Sequence, residues 1–476
     1  REGDLEMTDD QLTKPPKAPR PNVKQMWVDA IAFVLAECAR FRSMVSEAAR
    51  EGTLSSLPRD DFLFELRATD GRIFTHGRKA QIALEDAAEV ALHRSAFSGT
   101  VGFDHFMDVL RPAVVDAFII KGQDVALPAV DRVFTKALNE AAKGRADSRH
   151  LIPCQLMFLP EPDSFQIGPV TFYNRNSFGP IGDELVREHR ANGGELADRV
   201  LAYFSNFTWV ADLTVLGCDR QVGRDRALQA AGAAVDFMHV LFGHHHSRNM
   251  VVGGPGLDAD IRAEMEVRDG KTLLSHSTGS TSAMGFGKGW SSMLGKLGPR
   301  TLVKAAGRAI EAITDPSKSR PLALRFIDAA SWHGQAVRET SDAASIVKSV
   351  TALERLVTVQ KGSSTTRIVT QRNAALAFDP VGQERFADVV SRMESIYDLR
   401  SRLAHGTLSP FDAEVRNRRS EVLAAAEKAL VNGLALFDQD DLFDRSQTKR
   451  QLSEGLDYLV TWSKEIDARR WAARNG

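Results

Sequence analysis

Apolar residues recur at helical spacing along most of this chain, interrupted near the middle by stretches with strand character. Over 23–50, Met26, Ala30, Phe33, Val34, Cys38 and Phe41 share one helical face, and similar patterning predicts helices over about 79–96, 104–120 and 129–142. Between the first two, Phe62-Leu63-Phe64-Glu65-Leu66-Arg67 and Arg72-Ile73-Phe74 flank Asp70-Gly71, a dipeptide that favours a hairpin turn. The texture changes at Leu151. Gln155-Leu156-Met157-Phe158-Leu159 and the run over 165–172 have strand composition and are separated by Pro160 and Pro162. A helix over about 182–204, a strand over 208–217 and a helix over 225–242 follow. Glycine-rich turns, an apolar run over 261–267 and a Ser/Thr/Gly loop over 275–292 complete this α+β stretch.

From Pro299 onward the pattern is helical to the end. Leu302, Val303, Ala306, Ile310 and Ile313 form one face, and Pro316 with Pro321 marks a break. Further helices are expected over about 321–338, 342–359, 365–377, 382–404, 410–437 and 447–472, the last preceded by an acidic link over 438–444. No fixed-period repeat is present. The expected fold class is mainly α with an α+β N-terminal region: a disordered tail over 1–21, an α+β sensing or regulatory region over 22–315 and an all-helical region over 316–476.

The helix over 382–404 carries the strongest chemical signal. Phe386, Val389, Val390, Met393, Ile396 and Tyr397 keep its apolar stripe in phase, and the phase continues through Arg400 to Leu403 and Ala404. A guanidinium cannot shed its proton to lower the cost of burial, so an inward Arg400 needs a carboxylate, a phosphate or a wet cleft. His405 follows about 7.5 Å further along the axis, and Gly406 suits the left-handed cap that stops a helix. Ser409-Pro410-Phe411-Asp412 reads as N-cap, first-turn proline and first-turn acid of the next helix. His405 then occupies a corner between a helix C-terminus and a helix N-terminus, the latter a natural anion site. A phosphate diester fits there. The alternative is structural: Arg400 pairs with Glu354 or Asp398, and His405 only caps the last carbonyls. Glu354, beside the stripe Ile346, Val350, Leu353 and Val357, is placed to orient Arg400. Ser401 and Arg402 either bind phosphate or face solvent, and Tyr397 fits the core better than catalysis.

Charge and cysteine content narrow the setting. Lys+Arg number 61 against 62 Asp+Glu, a net charge of -1, so no global field draws nucleic acid and any RNA contact must be a local patch. Cys38, Cys154 and Cys218 are too few and too scattered for a disulfide framework or thiolate zinc site, which points to a reducing cytoplasm. No run approaches the ~18–20 apolar residues of a membrane span, and the opening Arg-Glu-Gly-Asp-Leu-Glu does not read as a signal peptide. The expectation is a cytoplasmic protein without a membrane partner. The tail contains Lys14-Pro15-Pro16-Lys17-Ala18-Pro19-Arg20-Pro21, which cannot bury apolar surface.

Arg400, four intervening residues and His405 on a long helix of an all-helical C-terminal region resembles the HEPN superfamily (higher eukaryotes and prokaryotes nucleotide-binding). The run Tyr397-Asp398-Leu399-Arg400-Ser401-Arg402 through His405-Gly406, with Ala352-Leu353-Glu354-Arg355-Leu356 on an earlier helix, is most similar to its Apea-like branch. The resemblance covers roughly the last third of the chain. It implies a C-terminal helical bundle that forms a homodimer, so that two Arg-His motifs face one cleft, and a metal-independent endoribonuclease needing no cofactor. Toxin, abortive-infection and antiphage roles are implied too, with a phage-derived trigger acting at the N-terminal region. In that chemistry His405 moves protons as the RNA 2′-hydroxyl attacks the adjacent phosphate, Arg400 neutralises the phosphoryl oxygens, and the products carry 2′,3′-cyclic phosphate and 5′-hydroxyl ends. Histidine suits the task because its unperturbed pKa of about 6.5 leaves both forms available near neutrality. Family toxins silenced by adenylylation carry a tyrosine two residues after the histidine. Here that residue is Thr407, so a nucleotidyltransferase partner is not expected.

Other motifs carry less. Arg416, Arg418 and Arg419 after the histidine, and Arg300, Lys304 and Arg308 at i+4 steps, either extend an RNA-binding surface or form solvated helix faces. His244-His245-His246 reads as a polar loop rather than a metal site, since adjacent histidines point apart and no carboxylate or cysteine pattern accompanies them. Gly285-Phe286-Gly287-Lys288-Gly289 lacks P-loop spacing, and no Gly-x-Ser-x-Gly elbow follows a strand.

Overall fold

The computed structural model describes residues 23–53, 64–157, 159, 161–191, 195–253, 260–268, 271–279, 288–292, 300–318, 320–359, 365–444 and 446–475, with backbone alone at 188, 189, 260–268, 271–279, 300, 301, 365 and 475. The expected tail over 1–21 lies outside these residues. The chain is mostly helical, with its sheets confined to the N-terminal half and middle, and it divides into two compact units after Arg145.

In the first unit, α1 (Val23–Glu51), the hairpin β1 (Phe64–Arg67) and β2 (Ile73–His76), α2 (Arg78–Arg94), α3 (Phe103–Val114) and α4 (Leu127–Ala141) enclose a core that includes Ile31, Val34, Leu84, Phe106 and Leu110. Trp27 of α1 stacks flat on Phe134 of α4, ring centres 4.9 Å apart. The hairpin sets Phe64 opposite His76, and the Asp70 carboxylate accepts from the Arg72 N–H, which closes the Asp-Gly turn. The helix expected over 104–120 is α3 followed by six residues, Val115–Ile120, in the wider i→i+5 register. This shift comes just after Pro112, which cannot donate a helix hydrogen bond.

The second unit opens with a five-stranded antiparallel sheet in the order β4-β5-β6-β3-β7, built from β3 (Ala146–Gln155), β4 (Ser164–Ile167), β5 (Val170–Asn174), β6 (Trp209–Cys218) and β7 (Val251–Val252). Two strand expectations are corrected here. The strand placed over 155–159 is β3, which ends at Gln155. Its first half is polar and therefore silent in an apolar pattern, yet it pairs along β6, where Arg149 forks onto Asp212 at 2.9 and 2.6 Å. The run over 165–172 is a hairpin folded at Gly168-Pro169. The single helix expected over 182–204 is α5 (Arg175–Ala191) and α6 (Glu195–Phe204). Part of the loop expected over 275–292 is strand, since β8 (Asp260–Arg268) pairs with β9 (Lys271–Gly279); residues 280–287 lie outside those described.

Across the sheet lies α7 (Arg220–Phe242), buried nearly all round from Ala230 to Val240, where alanines at 230, 231, 233 and 234 allow neighbours to approach closely. A single turn, α8 (His244–Ser247), follows. The helical part comprises α9 (Arg300–Thr314), α10 (Pro321–Arg338), α11 (Asp342–Val357), α12 (Thr365–Ala377), α13 (Phe386–Ala404), α14 (Ala413–Gln439) and α15 (Lys449–Asn475). Phe326 of α10 stacks on Phe237 of α7 at 5.9 Å and meets Phe437 of α14 edge-on at 5.1 Å. One core therefore runs from the sheet through α7 into the bundle, and the junction expected near residue 316 separates nothing: α9, ahead of it, packs on α7 and α14. All three cysteines are buried and free. No helix among the described residues is long and apolar enough to cross a membrane.

Candidate active site

The site is built on the last turn of α13. Val389, Met393, Ile396 and Leu399 bury the inner stripe, and Arg400 emerges beside it, about a quarter exposed. Its Nη2 donates to Glu354 Oε2 of α11 at 3.4 Å, a long contact, while its Nε is buried without a hydrogen-bond partner among the described residues. The guanidinium carbon lies 6.0 Å from the centre of the Tyr397 ring. Tyr397 also hydrogen-bonds Glu354 and Thr366; burial first, then the Glu354 charge, holds its phenol above the ordinary value. Glu354 thus serves two side chains of α13 at once and sets where the guanidinium points.

The helix stops as its sequence requires. His405 leaves helical geometry at φ -90°, ψ 0°, its N–H bonded to Ser401 O at 3.0 Å, and Gly406 takes φ 71° with its N–H on Leu403 O at 3.2 Å. The N–H groups of Thr407 and Leu408 both reach Arg402 O. These bonds satisfy the last carbonyls through the backbone. The His405 imidazole is left exposed, with no hydrogen-bond partner among the described residues. Ser401, half-buried, contributes its carbonyl.

The N-terminus of the next helix differs from expectation. α14 begins at Ala413, and Asp412 rather than Ser409 is its N-cap, the carboxylate accepting from Glu414 N at 2.8 Å. Ser409 closes a separate turn, its hydroxyl accepting from Phe411 N at 3.3 Å and its carbonyl from Asp412 N at 3.1 Å. The anion site expected at that terminus is therefore filled by the chain's own acids. Arg402 is spoken for as well: Nε donates to Asp398 at 2.8 Å, and Nη1 and Nη2 fork onto Glu414 at 3.0 and 2.5 Å, tying α13 to α14. The Arg402 guanidinium in turn holds the Glu414 carboxyl below its usual value.

Of the other cationic candidates, Arg416 and Lys304 are exposed with no side-chain partner among the described residues. Arg419 donates to Asp342 Oδ1 at 2.9 Å and Glu339 O at 2.6 Å, and Arg418 to Glu421 at 2.7 Å. Arg308 pairs with Asp438, reaches Asp441 at 3.7 Å and lies over the Phe443 ring. The Arg300 side chain lies outside the described residues.

Two polar assemblies escaped the sequence reading. Asp236, His239 and Arg338 meet in the core between α7 and α10, and the only trace of this in the sequence is an acid and a histidine three residues apart in an alanine-rich helix. His244, expected in a polar loop, is instead held against Glu427 and Ser420 of α14. Among the described residues, no group of three or more His, Cys, Asp or Glu is arranged to hold a metal ion. Compared with family models, curated proteins and solved structures, the chain matches none.

Proposed function

We propose that this chain is a metal-independent endoribonuclease of the HEPN type that acts as a homodimer in antiphage defence, with the N-terminal region sensing a phage-derived trigger. The observation that carries the reading is that His405, exposed and without a hydrogen-bond partner among the described residues, follows by five residues a partly exposed Arg400 whose ion pair with Glu354 is long. His405 takes the 2′-hydroxyl proton as that oxygen bonds to phosphorus. The P–O5′ bond breaks, and a proton returned from imidazole leaves a 5′-hydroxyl and a 2′,3′-cyclic phosphate. Arg400 swings from Glu354 onto the phosphoryl oxygens as their charge grows. Arg416 adds positive charge beside the corner, and a second copy doubles it. Phe411, 90% exposed in the turn after His405, offers apolar surface for a subunit seam.

A non-catalytic module for dimerisation or RNA binding is the alternative. It draws on Arg400 resting against Glu354 and on the internal pairing of Arg308, Arg402 and Arg419, which leaves a thin basic surface. Incubation with structured and unstructured RNA in EDTA separates the two. Cleavage by the native chain that His405→Ala lacks, with folding intact, supports the enzyme. RNA left whole by both proteins, even with the natural trigger present, leaves the module.

A further inference from the structure

Away from that corner, a nucleophile, a base and an acid come together where α8 meets α14. His244, the first residue of α8, is oriented by Glu427: the carboxylate Oε1 accepts from the His244 backbone N–H at 2.6 Å and from ring Nδ1 at 2.7 Å. With the proton on Nδ1, Nε2 is the free base, and Ser420 Oγ stands 2.9 Å from it. Ser420 and Glu427 lie two turns apart on one face of α14, while His244 arrives from 176 residues away in sequence. The approach is tight. Gly243, at φ 78°, makes the bend, and a Cβ there would come within 3.3 Å of Glu427 Oε2.

Exposure is graded along the three residues. His244 and Glu427 are 11% and 15% exposed, whereas Ser420 opens to solvent. Acid and base are thus shielded from water while the hydroxyl is accessible to a ligand. The His245 ring leans against His244 at a 39° tilt with ring centres 3.9 Å apart, and its Nε2 lies 3.4 Å from the same Ser420 Oγ. Arg416, one turn earlier on the same face of α14, has an exposed, unpartnered side chain among the described residues.

We infer that Ser420, His244 and Glu427 form a nucleophile, base and orienting acid for acyl transfer, with carboxylic esters as the substrate class. Ser420 Oγ bonds to the ester carbonyl carbon as its proton passes to His244 Nε2. The carbon–alkoxy bond then breaks, and the alkoxy oxygen leaves with that proton. Water repeats the sequence on the acyl-serine, which releases the acid and restores the hydroxyl. A helix surface offers no free backbone N–H, so side chains must meet the oxyanion, and His245 Nε2 and Arg416 are the donors at hand. This explains how a serine could be activated with no strand-to-helix elbow in the sequence.

The test treats the full chain with an alkyl fluorophosphonate, which bonds to an activated serine oxygen as fluoride departs. One adduct is expected, mapped to Ser420 by peptide mass spectrometry and absent from Ser420→Ala. Its rate rises with pH and then levels, falls by about 100-fold or more in His244→Gln, and falls by about 10-fold in Glu427→Gln, which preserves shape and near-UV circular dichroism. Hydrolysis of p-nitrophenyl acetate follows the same order. An unmodified Ser420, or equal labelling rates in the native chain and His244→Gln, overturns the inference and makes the three side chains a structural clasp.

Discussion

Two histidine–arginine pairs of the second unit contrast sharply: one bonded in the core, the other spaced five residues apart at a helix end. Between α7 and α10, Arg338 Nη1 donates to Asp236 Oδ1 at 2.9 Å and to His239 Nε2 at 2.7 Å. Because His239 accepts there, its Nδ1 donates to Ser247 Oγ at 2.9 Å, and that hydroxyl passes on to Gly243 O at 2.8 Å. Burial raises the Asp236 carboxyl to about 6 against the pull of Arg338, and burial again drives His239 well below its ordinary value. Neighbouring His333 has neither ring nitrogen hydrogen-bonded among the described residues and is pushed down to about 4 by burial, despite Glu427 3.7 Å away. At the end of α13, by contrast, His405 is exposed and Arg400 rests loosely on Glu354. The strongly perturbed groups are the inaccessible ones. Perturbation here measures desolvation, and reactivity toward a polymer must be sought where a polymer can arrive.

That contrast breaks most sharply under paired substitutions. His405→Ala should lower RNA cleavage by about 10²–10⁴-fold and shift the urea unfolding free energy by less than about 0.5 kcal/mol, as expected for an exposed side chain with no hydrogen-bond partner among the described residues. Arg338→Met should do the reverse to stability, costing about 3–5 kcal/mol because Asp236 and His239 lose the guanidinium that bonds both in the core, leaving Asp236 the Ser331 hydroxyl and no cation. A stable Arg338→Met protein would mean that Asp236 is not the buried, arginine-dependent carboxylate described above.

The next largest effect concerns acid. His333 has a folded-state pKa depressed from 6.5 to about 4, so the unfolded chain binds the proton first. Its contribution is intact above about pH 6.5 and is lost as pH falls toward about 4, on the order of 3 kcal/mol. His239 acts in the same sense. Asp236, raised to about 6, acts oppositely: its contribution is present below the ordinary carboxylate range and is lost as pH rises through about 6. Two histidines against one acid leave a net loss on acidification. Glu427, His244, Arg338 and His239 are the charged or titratable groups facing His333 among the described residues. His333→Leu should therefore flatten the acid limb of unfolding free energy against pH between about 4 and 7 with little loss at neutrality, since no hydrogen bond is given up. An unchanged slope would place the acid sensitivity elsewhere.

The helices were legible where caps and phase agree. α10 and α12 match their expected limits residue for residue, α10 with its proline at the first turn, and α11 starts where Ser341 accepts from Ala344 N. For α14 the cap was placed at Ser409 and Asp412 was read as a first-turn acid, whereas the Asp412 bond to Glu414 N makes Asp412 the cap and starts the helix three residues later. β3 was missed because pairing with β6, not apolar content, makes its polar half a strand. Helical phase put Arg400 on the buried stripe itself, whereas it lies beside that stripe with about a quarter of its side chain exposed. The partners of Arg308, Arg402 and Arg419 could not be read from the sequence, because Asp438, Glu414 and Asp342 come from other elements and meet them only once the helices have packed at particular rotations. Packing thus turned three expected surface cations into internal ties.

The smallest effect tests the shape of the corner itself. Gly406 sits at φ 71°, and a Cβ placed there meets nothing within 4 Å, so substitution strains the backbone without crowding a neighbour. Gly406→Ala should cost about 1 kcal/mol and Gly406→Asn, which tolerates the left-handed region, about half of that. If the helix stop sets where His405 points, cleavage should fall in the same order and by more than the stability change accounts for, because the imidazole is displaced relative to Arg400. If stability falls in that order while cleavage stays at the native rate, then the left-handed cap only ends α13, and the alignment of the two groups is set by the Glu354 and Tyr397 contacts behind them.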